Sequence, residues 1–225
     1  MTVATLPPAA QVVPETPAAG GRDGLPTFLA GDIILFAGRA DWYGVLSGWL
    51  MRTRGEGLTY AVHTAQFLDA DRYLELATVV KIRATGDILR PRQAHDTWQR
   101  RGFEVWRCRV LTAEQRAAVT RQALAYVGAR FGWAKVFTHV LDGLVSKVAG
   151  RDVFLFRRLN HDTRYPLCSW VTAFAYDRAL HYQFGVPPEA ADPDEIGDWV
   201  NSHPAEWERV FRLADYTQLG RPARR

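Results

Sequence analysis

Residues 60–68 (YAVHTAQFL) and 73–82 (YLELATVVKI) are two β-prone runs separated only by Asp69-Ala70-Asp71-Arg72. A link this short joins neighbouring antiparallel strands and cannot carry a parallel crossover. The chain is thereby committed to an antiparallel ribbon, although the link lacks the glycine that marks the tightest hairpins. An isolated ribbon is barely stable in water, so further strands or helices must cover it.

The rest of the sequence supplies them. In residues 28–37 (FLAGDIILFA), a Gly31-Asp32 turn precedes Ile33, Ile34, Leu35 and Phe36, an apolar run suited to a buried strand. Residues 103–111 (FEVWRCRVL) alternate in polarity and predict another. In residues 41–52, Asp41 can cap a helix with Trp42, Val45, Leu46, Trp49 and Leu50 at helical spacing. Thr112 and Gln115 have the spacing of a capping box for a helix running to about residue 127, with Gly128 as its stop. An amphipathic helix is predicted over 133–149, between Gly132 and Gly150, and another in SWVTAFAYDRAL after Pro166. Residues 154–159 mix apolar and basic side chains without a clear preference, and 187–213 read as Pro-punctuated turns with short helical pieces. The pattern is α+β, a small antiparallel sheet packed against helices.

Length and composition fit one ordered domain, expected over residues 28–213, with 48% hydrophobic and 23% charged residues overall. Residues 1–27 read as a flexible Ala/Pro-rich tail without the charge and apolar run of a secretory signal, and 214–225 as a basic tail. A formal charge of +4 is too small for a nucleic-acid footprint and fits weak attraction to anionic surfaces at most. No apolar run reaches the length of a membrane span. A cytoplasmic location is expected, and a protein delivered with a phage virion would read the same way. The two cysteines, Cys108 and Cys168, make neither a disulfide framework nor a zinc motif, so no metal or cofactor is expected. Oligomeric state is left open.

Cys168 lies between the loop Tyr165-Pro166-Leu167 and a predicted helix starting near Ser169. A thiol in the first helical turn meets the positive end of the helix dipole and unpaired N–H groups, which favour the thiolate and can stabilise an oxyanion. Alone, Cys168 reads better as a small buried hydrophobe than as a nucleophile. A thiol nucleophile needs a base, and of the six histidines His63 stands out in mid-strand between Ala61-Val62 and Thr64-Ala65. Glu75, in the next strand, can orient it if the hairpin link has an odd number of residues. A three- or five-residue loop puts both on one face, whereas an even loop separates them. The three match the nucleophile, base and orienter of thiol catalysis; the other reading is an exposed cross-strand His–Glu pair.

The ordered set GDIILF, a helix, YAVHTAQF, YLELA and PLCSWVTAFAY resembles the circularly permuted branch of the NlpC-type papain-like hydrolases. The YiiX/YaeF-like proteins look closest, and the lecithin–retinol acyltransferase family is more distant. In that branch the histidine strand precedes the cysteine helix, as here. The resemblance spans roughly residues 28–213 and implies a permuted papain-like fold, with Cys168 as nucleophile, His63 as base and Glu75 as the polar third member. ARFG before Trp133, DPDEI, and Trp207-Glu208-Arg209-Val210 also resemble family segments. Where the family commonly reads Cys-Ser-Glu, this chain has Cys168-Ser169-Trp170. Tyr60, Tyr165, Ser169 and Trp42 are the expected substrate-binding residues.

The implied activity is a thiol hydrolase of peptidase or amidase type acting on a peptide-like or lipid-like acyl substrate, with cell-wall peptides among the family's targets. A lipid acyltransferase or deacylase is the second reading, for which the Trp42, Leu46, Trp49 and Leu50 stripe can serve either as core or as a lipid contact. The third is a non-catalytic binding or structural component of a cellular or phage assembly.

Overall fold

The computed structural model describes residues 26–37, 61–70, 72–77, 81–85, 102–130, 132–150, 153, 155–156 and 166–213. The helix expected over 41–52, the expected site residues Trp42, Tyr60 and Tyr165, the C-terminal tail, and the N-terminal tail up to residue 25 lie outside the described residues.

A single antiparallel sheet carries the fold. Its strands are β1 (Ile33–Ala37), β2 (Ala61–Phe67), β3 (Tyr73–Ala77), β4 (Lys81–Thr85), β5 (Phe103–Cys108) and β6 (Trp207–Leu213), in the order β4-β3-β2-β1-β5-β6. Four helices are described: α1 (Ala113–Leu124), α2 (Trp133–Ala149), α3 (Cys168–Leu180) and α4 (Pro193–Ser202). The α+β expectation holds at this level.

Two local expectations are corrected. The run read as one strand over 73–82 is two, β3 and β4, because Ala77 and Lys81 are themselves ladder partners and the chain reverses between them. The segment WERVFRL, read with the helical pieces, is instead β6, paired along its length with β5 from Cys108↔Trp207 to Phe103↔Leu213. Its Trp207, Val210, Phe211 and Leu213 gain more by extending a buried sheet than any local helical preference supplies.

The sheet is apolar on both sides. Ile33, Leu35, Ala61, Leu74 and Trp106 meet Val119 of α1, Val171, Ala175 and Tyr176 of α3, and Ile196 of α4. The other side carries Ile34, Phe36, Ala65, Phe67, Tyr73, Phe103 and Val105, joined by Phe28. Phe28 stacks on Phe67 with ring centroids 4.5 Å apart.

Helix ends follow their local chemistry. Thr112 and Gln115 form the expected capping box, and Asp192 with Glu195 forms another behind Pro193 in the first turn of α4. Tyr176 of α3 makes an aromatic cluster with Tyr182, Phe184 and Trp207. The Tyr182 hydroxyl accepts the indole N–H groups of Trp199 (2.7 Å) and Trp207 (2.9 Å) and donates to Glu206 (3.0 Å). Gly185 lets the chain pass this cluster with φ +75°, and a Cβ there would lie 2.7 Å from Cε3 of Trp199. Gly185→Ala is therefore expected to destabilise the fold by about 1–3 kcal/mol, read as a lower denaturant midpoint with an unchanged slope.

Candidate functional site

Three features of the backbone shape the surroundings of His63. First, the β2–β3 hairpin closes with Phe67 opposite Tyr73, leaving the five-residue loop 68–72. Asp69 holds that loop shut by accepting the Arg72 backbone N–H (2.8 Å) and pairing with its guanidinium (2.7 Å), which replaces the missing glycine with an Asx-type closure. The loop length is odd, so backbone alternation puts positions 63, 67, 73 and 75 on one side of the sheet.

Second, β2 carries a bulge beside the histidine. Phe36 pairs with His63 but Ala37 pairs with Ala61, so Val62 is the extra residue. Bulges turn a strand and re-aim its side chains. His63 is 2% exposed, and its ring lies 5.4 Å from that of Phe36.

Third, the ladder between β2 and β3 runs only through Phe67↔Tyr73 and Gln66↔Leu74. The Phe67 N–H and carbonyl both bond to the β1 side, at Asp32 and Gly31. Alternation therefore turns the Thr64 N–H toward the β3 side, two residues beyond the last ladder pair. That N–H reaches the sulfur of Cys168.

Cys168 is the first residue of α3, one position ahead of the expected start, with Leu167 as an extended N-cap that makes no side-chain bond. The N–H groups of a first helical turn have no partner within the helix, and that of Ser169 also points at the Cys168 sulfur. Cys168 is half-buried. Burial alone pushes the thiol up. His63, through its charge and its hydrogen bond to the sulfur, and then the Thr64 and Ser169 N–H groups, pull further the other way. The net result is a thiol held below the ordinary cysteine range. Cys108, buried in the core at 1% exposure, goes the opposite way and is pushed up to about 11 by burial.

Of the other expected site residues, Glu75 lies in β3 opposite Arg83 of β4. Ser169 is 1% exposed, and its hydroxyl meets no hydrogen-bond partner among the described residues. Trp170, where the resembled family has an acid, turns inward instead. It is 1% exposed, with the Lys135 ammonium 3.4 Å from its ring centroid, a buried cation–π contact between α2 and α3.

Sequence reasoning missed Thr64, because its part is played by a backbone N–H freed where a ladder stops. On the same strand, Gln66 is 1% exposed and neither end of its amide has a hydrogen-bond partner among the described residues. Among the described residues, no cluster of three or more His, Cys, Asp or Glu has the arrangement to hold a metal ion. No family model and no curated protein matches this chain.

Proposed function

We propose that the chain is a thiol hydrolase that cleaves an amide or ester through a Cys168 acyl-enzyme, on a permuted papain-like scaffold of the NlpC type. The observation that carries this reading is the sulfur of Cys168, held at a helix N-terminus against a buried His63 and two backbone N–H groups, with its pKa lowered against the effect of burial. Burial without a histidine beside the sulfur pushes a thiol up, as at Cys108.

In the proposed cycle the Cys168 proton passes to the His63 imidazole. The thiolate attacks the substrate carbonyl carbon, and the carbonyl π electrons move to oxygen. First-turn N–H groups of α3 stabilise that oxyanion. His63 returns the proton to the departing amine or alcohol as the carbonyl re-forms and the acyl–heteroatom bond breaks. Water, deprotonated by His63, then attacks the thioester and releases the acid with regeneration of the thiol. Glu75 is the orienter in this scheme, holding the imidazole tautomer from the neighbouring strand.

The test is alkylation by iodoacetamide across pH, with site assignment by mass spectrometry. Cys168 is expected to react below the pH at which ordinary thiols do, while Cys108 stays unmodified in the folded protein through the neutral range. Equal modification of the two, or a Cys168 that reacts only at alkaline pH, overturns the proposal. A panel of peptide amides and acyl esters then separates the two bond types, with Cys168→Ala as the blank.

A further inference from the structure

Strand β2 is buried along its whole length, and Thr64 is an odd residue to find there. It is 1% exposed, yet its hydroxyl has no hydrogen-bond partner among the described residues. A buried polar group left unpaired costs stability, and a valine of nearly the same volume would avoid that cost. A group of this kind is accounted for by a partner that arrives only during function.

Its position says what that partner is. Thr64 stands opposite Leu35 of β1, so its side chain shares the side of the sheet that α3 covers. The Thr64 backbone N–H reaches the Cys168 sulfur, and the Ser169 N–H reaches the same sulfur from α3. Only Cα and Cβ separate the hydroxyl from that N–H, which places it beside the sulfur, between β2 and the first turn of α3. The hydroxyl does not bond the sulfur itself. A donor next to the nucleophile, yet not engaged with it, is placed to meet charge that develops on the substrate.

We infer that the Thr64 hydroxyl is an oxyanion donor, bonding the oxygen of the tetrahedral adduct on Cys168 together with first-turn N–H groups of α3. The inference rests on the hydrolase reading and adds a catalytic side chain to it. As the C–S bond forms, the carbonyl π pair moves to oxygen, and the Thr64 O–H donates to that oxygen while keeping its proton. The carbonyl then re-forms, the leaving group departs with the proton from His63, and the hydroxyl is released. The donor thus meets charge present only around the transition state, with no resting bond to break first.

Two reagents separate an oxyanion donor from a group that tunes the thiolate. Iodoacetamide is attacked at saturated carbon and forms no oxyanion, whereas p-nitrophenyl acetate acylates a thiol through a tetrahedral adduct. In Thr64→Val, acetylation of Cys168 by p-nitrophenyl acetate is expected to slow by about a hundredfold, read by p-nitrophenolate release and mass spectrometry. The rate and pH profile of iodoacetamide alkylation should stay as in wild type. Thr64→Ser, which keeps the hydroxyl, should acetylate as wild type does. Thr64→Val should also melt at or above the wild-type temperature, because it removes a buried hydroxyl that has no partner. Equal acetylation of wild type and Thr64→Val overturns the inference, as does a matching loss of alkylation. So does a melting temperature well below that of wild type, which would mean that the hydroxyl is paired within the fold. Failure of the hydrolase reading itself shows separately, as a wild-type Cys168 that alkylates only at alkaline pH.

Discussion

On the proposed thiol-hydrolase reading, His63→Ala is expected to lower turnover of an acyl substrate by roughly a hundredfold to ten-thousandfold, and to move the pH profile of Cys168 alkylation upward. The direction follows from what remains when the imidazole is gone. Burial raises the thiol, and His63 is the largest opposing influence, acting through both charge and hydrogen bond. The Thr64 and Ser169 N–H groups stay, but they pull less than the histidine. The balance therefore tips toward the protonated thiol, and the thiolate fraction at neutral pH falls. Activity falls further than labelling, because iodoacetamide needs only the thiolate whereas the leaving group also needs a proton donor. That divergence distinguishes a general base from a group that merely packs beside the sulfur. Should His63→Ala leave both the alkylation profile and turnover unchanged, His63 is not the base. His63→Gln, which keeps a hydrogen-bonding side chain of similar size without imidazole titration, should remain as impaired in turnover as the alanine variant. The alkylation profiles are to be recorded on protein verified as folded, since His63 is buried against Phe36.

How far this site could be read from the sequence depended on whether each feature is local. The capping box at Thr112 and the start of α3 at Cys168 are set within a few residues, and both were legible. Hairpin parity was legible only as a condition. Phe67 opposite Tyr73 meets it, through an Asp69 closure that composition does not announce. The split of residues 73–85 into β3 and β4, and the pairing of Trp207–Leu213 with β5, depend on partners distant in the chain, and local pattern misassigned both. The Thr64 N–H is invisible in sequence for a further reason: its freedom comes from where a ladder stops. Helix α2 shows a different limit. Periodicity marks residues 133–149 as amphipathic but carries no sign saying which face is inward. Only the burial of Lys135 and Asp142 opposite the exposed Val148 supplies it.

The Gly31-Asp32 turn was read as the start of a strand, and its larger part is to hold the scaffold on which β1 positions β2. Asp32 is fully buried. Its carboxylate accepts Arg107 through Nε (3.1 Å) and Nη2 (2.7 Å), Arg116 through Nη1 (3.2 Å), and the Leu29 N–H (2.9 Å). The two arginines, themselves nearly buried, go on to the carbonyls of Thr27 (2.7 Å) and Cys108 (2.5 Å). One carboxylate thus ties the turn before β1 to β5 and to the first turns of α1. Two buried guanidinium groups around one carboxylate are tolerable only while that carboxylate is present. Removing it leaves two charges in the interior with carbonyls as their remaining partners, and such losses cost far more than the intact group contributes. Asp32→Ala is therefore expected to destabilise the fold by about 3–5 kcal/mol, lowering the melting temperature by about 2–4 °C for each kcal/mol in a domain of this size. A double-mutant cycle with Arg107→Met checks the cause. The double variant should recover part of the loss, because the methionine removes the orphaned charge and keeps an apolar side chain. A double variant as unstable as the sum of the two single ones would mean that Asp32 acts through the turn backbone rather than through Arg107.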